Sequence, residues 1–167
     1  MMDVYLVRHA VAHGRDASRW PDDSGRPLTP GGRRRFEAAA VGLTRLVSGV
    51  GLMLSSPFVR AWQTAEILAE HGWPTPEACP ELEPDRSPEE VLGVLKEREE
   101  VGSMVLVGHR PNIHAVAGYL VFGRAEPARL RIKKGGALFV RFEEGPEAGR
   151  GVLVWHLPPK VLRALGT

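Results

Sequence analysis

Arg8-His9 closes the apolar run Val4 to Val7. Ser55-Ser56, with Arg60 just beyond, closes Leu52 to Leu54, and Gly108-His109 closes Met104 to Val107. If these runs are strands of one parallel sheet, their carboxyl ends share a rim, and open α/β sheets bind ligands at that rim. Two guanidinium groups and two imidazoles would then converge, together with the N-terminus of a helix starting near Ser56-Pro57. Guanidinium forks bind phosphate oxygens in bidentate fashion, and free N–H groups at a helix start favour anions. Phosphoryl transfer asks mainly for positioning and for charge stabilisation on the equatorial oxygens, which Arg8, Arg60 and His109 can supply. His9 is left as an in-line nucleophile, a side chain able to carry a covalent intermediate. Taken singly, each residue has a plainer reading: Arg8-His9 as a solvated pair, Arg60 as a surface cation, His109 as a helix cap. Arg60 in a first helical turn is electrostatically unfavourable unless an anion lies beside it.

The elements that must position these residues follow from hydrophobic spacing. Thr29-Pro30 reads as an N-cap with proline at the first helical position, followed by Phe36, Ala39, Ala40, Leu43, Leu46 and Val47 at helical intervals. Ala61, Ala65, Leu68 and Ala69 mark a second helix. Ser87-Pro88-Glu89-Glu90 is a capping box opening a third through about Glu99. Pro111 opens a fourth, with Ile113, Val116, Ala117, Leu120 and Val121 as its apolar stripe. Ala137 to Phe142 and Val152 to Trp155 read as a hairpin across the glycines at 145 to 151, and Pro158-Pro159 precedes a short last helix. Residues 13–28 and the proline-rich residues 72–86 read as loops. Strands alternating with helices, the early strands continuously apolar, predict an α/β three-layer sandwich. Its central sheet is mostly parallel, with helices on both faces and an antiparallel edge.

The 167 residues suit a single domain, 1–167, large enough to bury roughly 70% of its unfolded surface. With 43% hydrophobic and 25% charged residues the composition is that of a soluble globular protein. A formal charge of +2 gives no case for nucleic acid, and no apolar run is long enough to span a bilayer. Met1 to Tyr5 has no signal-peptide character, so a cytoplasmic location is expected. The one cysteine, Cys79, excludes an internal disulfide and lies beside no base. His13, His71, His114 and His156 have no metal-ligand spacing and read as structural or solvent-exposed. Arg33-Arg34-Arg35 reads as an exposed helix face. Trp20, Trp62, Trp73 and Trp155 read as packing residues.

Leu6-Val7-Arg8-His9-Ala10, the stretch Ser55 to Ala65 (Ser-Ser-Pro-Phe-Val-Arg-Ala-Trp-Gln-Thr-Ala) and Val107-Gly108-His109-Arg110-Pro111 resemble three signatures of the histidine phosphatase (phosphoglycerate mutase-like) superfamily. Arg26-Pro27-Leu28-Thr29 and Glu81-Leu82-Glu83-Pro84 extend the resemblance to its small bacterial phosphohistidine phosphatase branch. The resemblance implies that His9 becomes phosphorylated, that Arg8, Arg60 and His109 cradle the phosphoryl group, and that Arg26 is a further phosphate or substrate contact. Water would then hydrolyse phospho-His9, with no metal and no cofactor. Ala10 stands where the first signature usually has glycine, and alanine occurs there in relatives of the small branch. Larger members carry an inserted segment that covers the site and supplies a carboxylate acid. The corresponding segment is short here, and Glu81 is the choice for the acid, with Glu83 and Asp85 as rivals.

A site without a cover suits a phosphorylated side chain on a protein surface, because small ligands are usually buried for most of their area. An imidazole leaving group can also take its proton from solvent. The expected activity is therefore a metal-independent phosphatase acting on phosphohistidine in proteins. The alternatives are a phosphomonoesterase for sugar or nucleoside phosphates, a mutase, and a non-catalytic phosphate-binding module.

Overall fold

A computed structural model describes residues 1–125 and 129–167. Its centre is a six-stranded sheet built from β1 (Met2–Arg8), β2 (Leu52–Ser55), β3 (Glu77–Ala78), β4 (Ser103–Gly108), β5 (Ala137–Phe142) and β6 (Val152–Leu157). The order is β3-β2-β4-β1-β5-β6. The first four in that order run parallel, while β5 runs antiparallel to β1 and β6 antiparallel to β5. The helices are α1 (Pro30–Leu46), α2 (Val59–Glu70), α3 (Pro88–Glu97), α4 (Asn112–Phe122) and α5 (Pro159–Leu165).

The continuous apolar runs have the reason anticipated for parallel strands, burial on both faces. Successive side chains alternate across the sheet. Tyr5 and Val7 of β1, with Val105 and Val107 of β4, pack under Phe36 and Leu43 of α1, Leu68 of α2 and Leu162 of α5. Val4 and Leu6, with Met104 and Leu106, pack on the other face under Leu92 and Leu95 of α3 and Ile113 and Leu120 of α4. The layers are thus three helices, the sheet, and two helices.

Local signals set the helix starts. The Thr29 hydroxyl accepts from the Gly32 N–H at 2.9 Å, with Pro30 in the first turn. At Ser87 both halves of the capping box form. Gly32 is where α1 meets the segment that follows His9: a Cβ at this position would run into the Val11 carbonyl. Gly32→Ala is therefore expected to destabilise the fold by about 1–3 kcal/mol, read as a lower urea midpoint at unchanged slope.

Three details depart from the sequence expectations. The second helix begins at Val59, two residues later than Pro57, because the Phe58 N–H is taken by the Ser56 hydroxyl at 3.2 Å before helical bonding starts. Within residues 72–86 the chain makes a sixth strand, β3, and a 3-10 turn at Pro80–Leu82. Two residues are too short to show an alternating pattern. Within residues 13–28 a 3-10 turn forms at Asp23–Gly25, and Ala12 bridges Leu28.

Candidate active site

Strand register brings the motifs together. Arg8 pairs with Gly108, so the next residues, His9 and His109, leave the sheet side by side, and their ring centroids lie 5.1 Å apart. Ser55 pairs with Val107, which carries Ser56 to the same rim. Main-chain bonds hold these ends: His9 N–H to the Gly108 carbonyl at 3.0 Å, Ser56 N–H to the Val107 carbonyl at 3.0 Å, and the Gly135 N–H to the Arg8 carbonyl at 3.0 Å.

The second motif ties the others down. The Thr64 hydroxyl accepts from the Ala10 N–H at 3.0 Å and donates to the Arg60 carbonyl at 2.7 Å, so α2 is bonded to the residue after His9. The Gln63 side-chain oxygen accepts from the Leu28 N–H at 2.9 Å, anchoring the loop that carries Arg26. Gln63 and Thr64 are therefore the joints of the site. Their sequence signal was present in the motif, but their partners lie 35 and 54 residues away and only the fold reveals them.

His9, Arg60 and His109 are 6%, 3% and 1% exposed. His9 Nδ1 lies 2.6 Å from the Ala10 carbonyl oxygen. A carbonyl can only accept, so Nδ1 carries the proton and Nε2 keeps its lone pair, the form a nucleophile needs. Burial pushes the imidazole down to about 3. The Ala10 carbonyl acts in the opposite sense, while the nearby Arg60, Arg8 and Lys134 cations reinforce the drop. His109 is pushed down to about 2, first by burial and then by His9, Arg60, Arg26 and Arg8. Its Nε2 is 2.8 Å from the Ser56 hydroxyl. Nε of Arg8, Nε of Arg60 and Nδ1 of His109 are buried without a hydrogen-bond partner within the protein. Such groups concentrate where a protein meets a ligand.

Arg60 and Arg26 share one carboxylate that the sequence reading did not single out. Asp23 Oδ1 accepts from Arg26 Nε at 2.8 Å, and Asp23 Oδ2 lies 3.1 Å from an Arg60 terminal nitrogen. The Asp23 main-chain carbonyl also accepts from Arg60 at 2.9 Å. The Arg26 guanidinium, then Arg60, holds the Asp23 carboxyl below the usual carboxylate range. Arg60 thus has a counter-ion despite its place in the first turn of α2. Asp23 was hidden because it lies in an aperiodic loop beside Asp22.

Arg8, His9, Arg26, Arg60 and His109 converge. Glu81 lies in the 3-10 turn at Pro80–Leu82. Its carboxylate accepts from the Cys79 thiol at 3.3 Å, and its carbonyl accepts from Asn112 at 3.3 Å. Among the described residues no hydrogen bond or ion pair joins Glu81, Glu83 or Asp85 to His9 or His109. The turn itself is fixed over the sheet by Cys79 N–H to the Ser55 carbonyl at 2.8 Å.

Burial of neutral imidazoles has a consequence for stability. Above about pH 6.5 folded and unfolded chains both hold His9 and His109 neutral, and the full stability is present. As pH falls below that value the unfolded chain takes up protons that the folded one refuses down to about 3 for His9 and about 2 for His109. Stability should fall by about 1.4 kcal/mol per pH unit for each group. Urea midpoints measured from pH 7.5 to 5 should decline steadily, and a flat series would contradict the buried neutral pair.

An open α/β sheet whose strand ends gather buried arginines around a neutral histidine defines an enzyme-like phosphate site. The comparisons with known proteins agree with that class. The family model of the histidine phosphatase superfamily (branch 1) matches residues 4–83. An uncharacterised protein of Picosynechococcus sp. (strain ATCC 27264 / PCC 7002 / PR-6) is 36% identical over 144 residues, 84% of this chain and 85% of that one. The structure of the protein histidine phosphatase SixA complexed with tungstate superposes with TM-score 0.82 and 28% identity, covering 96% and 99% of the two chains. The alpha-ribazole phosphatase from Shigella flexneri shares the fold, with TM-score 0.72 and 16% identity over 95% and 97%. The chain belongs to the histidine phosphatase superfamily, and it is a phosphatase.

Proposed function

We propose that this phosphatase hydrolyses phosphohistidine on proteins through a phosphorylated His9, with the whole chain acting as one catalytic domain in the cytoplasm. No helix among the described residues is long and apolar enough to cross a membrane. The carrying observation is the neutral His9, its Nε2 lone pair free, among Arg8, Arg60 and His109 at one rim. In the first step Nε2 attacks phosphorus. The bond to the substrate imidazole nitrogen breaks, that nitrogen takes a proton from solvent, and Nε2–P forms. Arg8 and Arg60 stabilise the charge on the equatorial oxygens. In the second step water attacks phosphorus, Nε2–P breaks, and inorganic phosphate leaves.

Two observations support phosphohistidine over a small ester. Residues between α2 and α3 form only β3 and the Pro80–Leu82 turn, so that segment contributes no inserted helix. The Glu81 carboxylate accepts from the Cys79 thiol, and a leaving group that solvent can protonate leans little on an enzymic acid. Similarity to SixA along nearly the full length of both chains adds weight.

Substrate ranking by kcat/KM tests the proposal, since discrimination is a ratio of these values. A phosphohistidine peptide should exceed sugar, nucleoside and nitrophenyl phosphates by at least about 10²-fold. A small ester winning by that margin would overturn the substrate while leaving the phosphatase chemistry intact.

A further inference from the structure

The Arg60 guanidinium is fixed from two directions. One terminal nitrogen donates to the Asp23 main-chain carbonyl at 2.9 Å, and the other lies 3.1 Å from Asp23 Oδ2. Its central carbon stands 5.2 Å from the centre of the Phe58 ring, which supports the flat face. Nε is left buried and without a partner within the protein. A guanidinium is planar, so fixing its terminal nitrogens also fixes the direction of Nε–H.

Asp23 is itself pinned. Its Oδ1 accepts from Arg26 Nε at 2.8 Å, and an Arg26 terminal nitrogen donates to the His13 carbonyl. Other groups fasten the surrounding loop. Asp22 accepts from the Ser24 N–H at 3.0 Å, the His13 N–H donates to the Pro27 carbonyl at 3.0 Å, and Gln63 holds the Leu28 N–H. Asp23 is half-buried, whereas Arg60 is buried. Burial, and then Arg26, disfavour the charged form of Arg60, and Asp23 opposes them. A buried cation is costly unless it is paired and hydrogen-bonded, and Asp23 supplies both to Arg60.

We infer that Asp23 is a positioning residue for phosphoryl transfer: it takes the terminal nitrogens of Arg60 and leaves the Nε side of the fork to the equatorial phosphoryl oxygens. The inference rests on the reading that the phosphoryl group is held beside His9 by Arg60. A carboxylate and phosphoryl oxygens both only accept hydrogen bonds, so Asp23 acts through Arg60 and not on the substrate. Its charge repels a bound anion, while the orientation it imposes on Arg60 favours the transition state. Binding and turnover therefore respond to its removal with opposite signs.

Asp23→Asn keeps the shape and an acceptor oxygen while removing the charge, and Asp23→Ser makes the same comparison with a smaller side chain. Turnover is measured on nitrophenyl phosphate and on a phosphohistidine peptide, and the faster substrate carries the comparison. Inorganic phosphate, as a competitive inhibitor, is the binding probe. Asp23→Asn should lower kcat by about 10- to 30-fold. Its inhibition constant for phosphate should stay level or fall by up to about fivefold. In an Arg60→Ala background the same substitution should change kcat by less than about twofold, because the group it positions is gone. A site merely loosened by the substitution would lose turnover and phosphate affinity together, and that result would overturn the inference. Parental kcat in both Asp23 variants, with Arg60→Ala impaired, would also overturn it and leave the reading of the site standing. So would an Asp23→Asn loss that persists in full without Arg60. If Arg60→Ala itself turns over at the parental rate, the reading of the site fails and takes this inference with it.

Discussion

His9→Ala is expected to lower kcat by at least about 10⁴-fold and to abolish any covalent intermediate. The size follows from the lack of a substitute. His109 is the other imidazole at the rim, but its Nε2 is engaged with the Ser56 hydroxyl at 2.8 Å, and burial, reinforced by the neighbouring cations, resists its protonation. The variant should still fold, because the bonds that fix the loop after His9, from Ala10 to Thr64 and from Gly135 to Arg8, are main-chain or remote from the imidazole. It should also still bind inorganic phosphate, since Arg8, Arg60 and His109 remain. Turnover loss with retained phosphate binding, measured side by side by stopped assay and calorimetry, is the expected pair of results. Loss of both would point to a collapsed site instead.

Arg60→Ala is expected to cost roughly 10²–10³-fold in kcat/KM. Arg60 is buried, and its Nε has no partner within the protein. Its terminal nitrogens engage Asp23 through both a main-chain and a side-chain oxygen. Removing it takes away a fork for the transferring oxygens and also unties Asp23 from the site. Arg60→Lys should recover little, because an ammonium is a point charge and cannot reproduce the planar pair of N–H donors. Steady-state kinetics on all three proteins check this. Near-parental kcat/KM in Arg60→Lys would mean that charge alone matters and that the fork geometry does not.

Much of the fold was legible because its signals are local and strong. The apolar runs that become β1, β2 and β4 are buried on both faces. Thr29-Pro30 and Ser87-Pro88-Glu89-Glu90 carry their caps in the sequence itself. β3 was not legible: its pairing depends on Leu54 and Ser55 rather than on any pattern of its own. The rim was legible for a related reason. Arg8-His9, Ser56 and His109 sit one step past apolar runs, and parallel register then forces them together.

What the sequence concealed is the wiring. Asp23 lies in a loop without periodicity, and its significance comes from reaching Arg60, 37 residues on. Gln63 and Thr64 were visible as motif letters, but their function as clamps on Leu28 and Ala10 required coordinates. Glu81 was named as the acid through the family resemblance alone, and its bond to the Cys79 thiol came only with the coordinates.

The central claim is that phosphoryl groups pass through His9. The most direct measurement mixes the protein with a labelled phosphohistidine peptide, quenches within milliseconds, and maps the label by peptide sequencing and by its acid and base stability. The account predicts acid-labile, base-stable label on His9 that is absent from His9→Ala. Label on any other residue, or phosphate release by His9→Ala at the parental rate, would contradict it.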